Sequence, residues 1–233
     1  MLHSCRVGAR QSPLGTLARG VIIATLTLLG VLAGLVVLYA FVPPVSTLML
    51  ARMLEGKGYD RVYVRLNEIA PAAVASVIAS EDATFCHNHG VDWAALGQAL
   101  GKAGGPTRGA STITMQTAKN LFLWPGRSSV RKVLEIGVAL ALGGVWSKTR
   151  TMEVYLNIAE WGDGIFGIEM ASRRYFHKKA TQLNAVEAAL LAAALPNPIK
   201  RDAAHPSGLQ RRLAAGLLAR VNAGVDWSAC LRP

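Results

Sequence analysis

Acidic residues are scarce in this chain: 14 Asp and Glu stand against 25 Lys and Arg, a formal net charge of +11 over 233 residues. That imbalance suits an anionic partner, whether nucleic acid, anionic lipid or a phosphorylated substrate. Cysteine is scarcer still. Cys5, Cys86 and Cys230 form no Cys-x-x-Cys motif, so neither a zinc site nor thioredoxin-like chemistry is supported. A Cys86–Cys230 bridge can form in an oxidising compartment, but two free thiols are the expectation. Strand-like alternation is sparse, and no internal repeat or low-complexity tract occurs, so the chain reads as mostly α. Its length leaves room for one sizeable globular domain and little else.

Charge is absent altogether from "GVIIATLTLLGVLAGLVVLYAFV", the 23 positions from Gly20 to Val42. As a helix this run would reach ~34 Å at about 1.5 Å per residue, enough to cross a bilayer core of roughly 30 Å. A cleaved signal peptide would show a shorter apolar core, about 7–15 residues, with a small-x-small site behind it. Phe41-Val42-Pro43-Pro44 offers no such site, which favours an uncleaved single-pass anchor. Arg6, Arg10 and Arg19 precede the anchor and no acid does. Residues 1–19 are therefore expected in the cytoplasm and residues 43–233 outside it. The 25 basic residues less those three leave 22 in the exported part, against all 14 acids. Outside a membrane, that charge points to lipid phosphates and away from nucleic acid.

Beyond Pro43-Pro44 the punctuation is helical. Ser46 can cap a helix to about Glu55, and Tyr59, Val62 and Val64 hint at a short extended piece. Asn67 is expected to open a helix through Ile69, Val74, Val77 and Ile78 to Glu81-Asp82. Acids at a helix C-terminus oppose the macrodipole, so they need another reason to be there. Asp92 reads as the cap of a helix ending at Gly104-Gly105-Pro106, Ser111 as the cap of "TITMQTAKNLFLW", and Ser128 as that of "SVRKVLEIGVALALGGVW". "TRTMEVYLNIAE", "IEMASRRYF" and "NAVEAALLAAAL" follow, with a last helix from Ser207 to Asn222.

Thr112, Gln116 and Lys119 fall at i, i+4 and i+7, on one helix face. A solvated polar face explains that spacing equally well. However, a helix opening with Gly-Ala-Ser-Thr offers unpaired N–H groups to a phosphate, and Lys119 and Arg127 lie close downstream, so the combination leans towards an anion site. Arg131 and Glu135 are i, i+4 neighbours, an ordinary helix ion pair. Yet twelve uncharged residues, Ile136 to Ser147, separate Glu135 from the next charge, Lys148. A helix so apolar all round is expected to be buried, which puts Glu135 in or beside a cleft. Glu81 and Glu135 together would suit the acid/base pairs of glycosyl chemistry. Read differently, Glu81, Asp82, His87 and His89 are chemically acceptable metal ligands. No nuclease pattern stands behind the "HNH" letters.

"EDATF…HGVD", "GASTITMQTAKNLFL", "RKVLE", "EVYLNIAEWGDGIFGIEMASRRYF" and "EAALLAAALPNP", in that order, resemble the peptidoglycan glycosyltransferases. The closer resemblance is to the monofunctional, membrane-anchored type without a transpeptidase domain, from about Pro43 to Arg212. It implies a lysozyme-like fold with a large helical lobe and a small membrane-proximal lobe. It also implies polymerisation of lipid II onto a growing glycan chain by inverting β-1,4 transfer, releasing undecaprenyl pyrophosphate. The family's base falls on Glu81 and its second glutamate on Glu135. Lys119 and Arg127 match its pyrophosphate contacts, and Ser111, Thr112, Gln116 and Asn120 its polar cleft positions. Arg131 and Lys132 of "RKVLE" join the substrate-binding set, as does Asp82, which is also expected to support its loop. No cofactor is implied as obligatory, although Mg or Mn can assist at Glu135. Membrane lipid and other cell-wall synthesis proteins are the implied partners.

Two positions depart from the family pattern. Met115-Gln116 stands where two glutamines are common, which predicts one lost polar cleft contact. Asn88 stands where the first motif usually has histidine; it can donate and accept hydrogen bonds but cannot carry charge, which predicts reduced activity. These departures support a rival reading, an anchored scaffold with little turnover. A glycan-cleaving enzyme of lysozyme-like fold is the other rival, although cleavage gives Lys119 and Arg127 no role. Leu48, Met49, Leu50 and Met53 could either dip into the membrane interface or pack in the core.

Overall fold

A computed structural model of the chain describes residues 13–100, 111–126 and 128–231. Arg127 and residues 101–110, where the helix capped by Asp92 is expected to end, lie outside the described residues. The first helix, α1 (Pro13–Leu38), contains a 23-residue apolar span, Thr16–Leu38, long enough to cross a membrane. The span begins and ends about four residues before the uncharged run. Its end is set by the residues ahead of Pro43-Pro44, which cannot stay helical, so 39–42 turn instead. The foot of α1 is clamped: Trp146 Nε1 donates to the Val36 carbonyl at 2.8 Å, and Arg150 Nε and Nη2 donate to that of Tyr39 at 3.1 and 2.9 Å. These donors satisfy carbonyls that a helix end leaves unpaired.

Ser46 caps α2 (Thr47–Leu54), its Oγ accepting from Met49 N at 3.1 Å. The extended piece is β1 (Asp60–Arg61), shorter than Tyr59–Val64 and parallel to a later strand. The helix expected from Asn67 begins at Pro71 instead. Leu66–Glu68 forms a 3-10 turn, and Pro71, whose missing N–H costs nothing at a first helical position, opens α3 (Pro71–Glu81). Then come α4 (Trp93–Leu100), with Asp92 Oδ1 accepting from Ala95 N, and α5 (Ile113–Phe122). The cap of α5 is Thr112, not Ser111, because the Thr112 hydroxyl accepts from Met115 N at 3.1 Å. Ser128 caps α6 (Ser129–Val145) as its sequence suggests, and Ser147 caps α7 (Lys148–Ile158), which starts one residue ahead of the expected "TRTMEVYLNIAE". β2 (Glu160–Gly162) pairs antiparallel with β3 (Ile165–Phe166), which also carries β1 in the order β1-β3-β2. Three helices close the fold: α8 (Ile168–Phe176), α9 (Ala185–Ala194) and α10 (Gly208–Val221).

The apolar interior divides in two. One cluster joins α3, α9, α10 and α8; the other joins the foot of α1 with α2, α4, α5 and α6. Two helices serve both. Met152, Tyr155 and Leu156 of α7 face the first cluster while Val154 and Ile158 face the second; in α5, Ile113 faces the first and Met115 the second. The two predicted carboxylates come one from each side of this seam, on α3 and α6.

The structure corrects three further expectations. Cys86 and Cys230 are not free thiols but a disulfide, their Cα atoms 5.3 Å apart across 144 residues of sequence. The spacing of two distant cysteines says nothing of such proximity; packing of the C-terminal segment creates it. Second, α6 is not buried all round. Arg131, Glu135, Val138, Ala139 and Leu142 face inward, whereas Val130, Val133, Leu134, Leu140 and Val145 are exposed on an uncharged outer face. Third, Met115 is fully buried in the second cluster and does not face a cleft, so its thioether replaces no polar contact there. Of the apolar residues just past Pro44, Met49 is fully buried while Leu50, Met53 and Leu54 are exposed.

Candidate active site

Glu81 is the last residue of α3, and its carboxylate meets polar groups there instead of the apolar interior. Its partners are neutral. Ser80 Oγ donates to Oε1 at 3.1 Å, and Gln116 Nε2 on α5 donates to Oε2 at 3.1 Å. The Tyr155 hydroxyl donates to Gln116 Oε1 at 3.1 Å, which fixes the amide with its NH2 towards Glu81. Tyr155 is buried, and burial together with the nearby Glu81 and Asp82 holds its phenol well above the usual range, so it stays a donor. Burial pushes the Glu81 carboxyl up, an effect that Gln116, Ser80, Lys119 and Arg201 only partly offset.

Asp82, the next residue, is buried and ties the loop together. Its Oδ1 accepts from Thr84 Oγ1 at 3.1 Å and from Asn88 Nδ2 at 3.0 Å, and its Oδ2 accepts from Ile113 N at 3.0 Å. The last bond joins the end of α3 to the start of α5. Burial raises the Asp82 carboxyl as well, against those hydrogen bonds and the Lys148 charge. Asn88 uses both ends of its side-chain amide, Nδ2 donating to Asp82 and Oδ1 accepting from Gly90 N at 3.2 Å, and its backbone carbonyl accepts from Lys148 Nζ at 2.6 Å. Lys148 Nζ also lies 4.5 Å above the centre of the fully buried Phe85 ring. Gly90 (φ +100°) lets the loop seat on α6, since a Cβ there would come within 2.5 Å of the Ala139 carbonyl. His87 and His89 are both exposed and away from this network.

Glu135 has the opposite setting. It is 2% exposed, with Lys132 Nζ at 2.7 Å and Ser111 Oγ at 3.0 Å on Oε1, and Arg131 Nη1 at 2.8 Å on Oε2. Lys119 of α5 sits electrically between the two carboxylates. Burial lowers its ammonium, Glu135 and Glu81 oppose that, and Arg131 and Lys132 reinforce it. Among the described residues no hydrogen bond or ion pair holds Lys119 Nζ. Its charge borders a cavity of about 250 Å³ between α2 and the α5–α6 connection, lined by Thr47, Leu48, Lys119, Asn120, Trp124 and Arg131.

The seam thus brings together Glu81, Gln116 and Lys119, and next to them Ser111, Arg131, Lys132 and Glu135. Thr112 is buried and its hydroxyl is occupied inside the fold, donating to the Gly90 carbonyl at 2.6 Å. Sequence reasoning missed Tyr155, which carries no local signal. It also missed Lys148, whose place at the end of a long uncharged run was visible, and Arg201, whose charge acts on Glu81 while its Nη1 donates to the Ala193 carbonyl at 2.6 Å. Among the described residues no group of three His, Cys, Asp or Glu could hold a metal ion. Glu135 stands alone among cations, a donor set that does not fit a resident divalent ion.

A family model described as Transglycosylase matches residues 48–221. The biosynthetic peptidoglycan transglycosylase of Agrobacterium fabrum is 50% identical over 220 residues, covering 93% of this chain and 97% of its own. That of Rhodospirillum centenum is 51% identical over 204 residues, covering 86% and 87%. A third, from Nitrobacter hamburgensis, is 49% identical over 215 residues, covering 88% and 95%. The matched span runs unbroken from α2 to α10 and contains both carboxylates with the cation between them, so the chain belongs to the peptidoglycan transglycosylase family.

Proposed function

We propose that the chain polymerises lipid II into glycan strands at this seam, with Glu81 as the general base. The acceptor GlcNAc 4-hydroxyl gives its proton to a Glu81 oxygen as its own oxygen bonds to the anomeric carbon of the donor MurNAc. The bond from that carbon to the pyrophosphate breaks on the opposite face, which inverts the centre and gives a β-1,4 link. A base needs a proton affinity matched to its task, and burial among neutral donors raises that of Glu81. This difference in setting between Glu81 and Glu135 is the observation that carries the reading.

Undecaprenyl pyrophosphate leaves with developing negative charge, which a pre-placed cation stabilises best where water is sparse. Lys119 fits that role because its ammonium is largely buried, while Lys132 and Arg131 are already engaged by Glu135. Ser111, Gln116 and Asn120 would position the sugars and phosphates. Arg127 would add a second phosphate contact.

The lipid tail would run over the exposed Leu50, Met53 and Leu54 of α2, beside the cavity at Lys119. The uncharged outer face of α6, a helix that ends at the clamp on α1, supports the same membrane-proximal placement. The disulfide supports a catalytic domain outside the cytoplasm, since such bonds persist in oxidising compartments. The three arginines before the anchor support a cytoplasmic N-terminus. Labelled lipid II supplied to the purified full chain tests the reading: long muramidase-sensitive glycan is expected. Absence of polymer, or shortening of pre-formed glycan, would overturn it.

A further inference from the structure

We propose that the C-terminal segment is a disulfide-locked strap that positions the Glu81 loop and makes turnover depend on the redox state of Cys86 and Cys230. This rests on the assignment of Glu81 as the base. The family match ends at Val221, and Cys230 lies nine residues past it, so the strap is built from chain outside the matched domain. Residues 222–226 are exposed, and only Trp227, Cys230 and Leu231 reach the first apolar cluster. So little packing is a weak return for the entropy of ordering a ten-residue segment. The covalent link supplies what packing does not.

The strap joins the loop that follows Glu81 to α7, the helix that carries Tyr155. Cys86 lies in the tight turn that follows Glu81-Asp82, where Phe85 N donates to the Asp82 carbonyl at 3.0 Å and Asn88 N to the Thr84 carbonyl at 2.9 Å. Cys230 N faces Cys86 Sγ at 3.4 Å. On the other side, the 3-10 turn Ala229–Leu231 packs on α7, with Thr149 Oγ1 donating to the Leu231 carbonyl at 3.5 Å. That helix also carries Tyr155, which orients Gln116 towards Glu81. Two further ties hold the loop without the disulfide, Asp82 to α5 and Asn88 to Lys148. Opening the bridge should therefore relax the loop without unfolding the domain.

Closure removes two electrons and two protons from the thiols and joins the sulfurs; a thiol–disulfide oxidoreductase of the extracytoplasmic space is the oxidant class required. Reduction by a dithiol reverses it, the dithiol cyclising to its own disulfide. In the test, the full chain carrying Cys5→Ser is assayed on labelled lipid II in detergent, with and without dithiothreitol. Thiol alkylation and mass spectrometry report the bridge. The reductant is expected to lower kcat roughly tenfold with KM little changed, less than the ~10²-fold that a misplacement of about 1 Å can cost. It should also move the acid limb of the rate profile towards ordinary carboxylate values as the loop admits water. Adding Cys86→Ser and Cys230→Ser should reproduce the reduced enzyme and abolish its response to dithiothreitol; if that variant does not fold, the reductant titration still decides. Free, alkylatable thiols in air-oxidised protein would overturn the proposal. So would a reductant effect confined to thermal stability, with kcat and the pH profile unmoved. Glu81→Gln is run alongside. Turnover by that variant would defeat the base assignment, and reductant sensitivity of the parent would still be read independently.

Discussion

The two carboxylates of the seam are the same chemical group in contrasting surroundings. Glu81 stands at the end of α3 with a hydroxyl and an amide as its hydrogen-bond partners, and its proton affinity is raised. Glu135 stands in the first half of α6 with an ammonium and a guanidinium within 2.8 Å. A carboxylate that is to accept a proton must not be stabilised too well as an anion. One that organises cations must be. The same group therefore yields different chemistry, according to the neighbours that its helix turns towards it.

Replacing Glu81 by Gln should break the reactive side outright. Loss of a general base costs typically ~10²–10⁴-fold, and polymerisation of labelled lipid II should fall by about 10³-fold. Stability should not fall with it. Because the folded-state affinity is raised, the folded chain binds more protons than the unfolded one, so the Glu81 contribution to stability declines as pH rises from ordinary carboxylate values through the raised one. At neutral pH the neutral Gln should leave the melting temperature equal or higher. The same shift predicts that the acid limb of kcat/KM lies above the ordinary value of 4.5 in the wild type.

Glu135→Gln tests the other side, where stability and activity should fall together. Removing one member of a buried pair leaves charge uncompensated, a loss of about 3 kcal/mol that urea unfolding would measure. If stability held while turnover vanished, the contrast between the two glutamates would fail. Lys119→Ala should mainly lower kcat, by about tenfold for a lost charge-assisted hydrogen bond to the departing phosphate, with folding intact. Asn88→His is expected to have the smallest effect, a few-fold reduction. An imidazole can still donate to Asp82, but an imidazolium would face the Lys148 ammonium, which lies 3.3 Å from Asn88 Oδ1. Higher activity in this variant would show that the loop tolerates histidine without rebuilding.

Most element positions were legible because their signals are local. Ser46 and Ser128 cap helices as their sequences suggest, and Ser147 and Ser207 do the same at α7 and α10, each hydroxyl accepting from an N–H three residues on. Ser111 misled because Thr112, beside it, is an equally good cap. Only packing assigns the Thr112 hydroxyl to Met115 N and the Ser111 hydroxyl to Glu135. Met115 misled for a related reason. A pattern gives the residue type at each site, but the turn of α5 decides that Gln116 faces Glu81 while Met115 enters the apolar interior.

By itself the sequence determined the helical class, an apolar span of membrane length, and the two glutamates and cation that family resemblance singles out. Those features depend on composition and on spacings of a few residues. The tertiary structure decided which glutamate is surrounded by neutral groups, that Tyr155 completes the chain behind Gln116, and that Cys86 meets Cys230 across 144 residues. Proton affinity, burial and cross-linking are set by neighbours distant along the chain, and short-range periodicity carries no information about them.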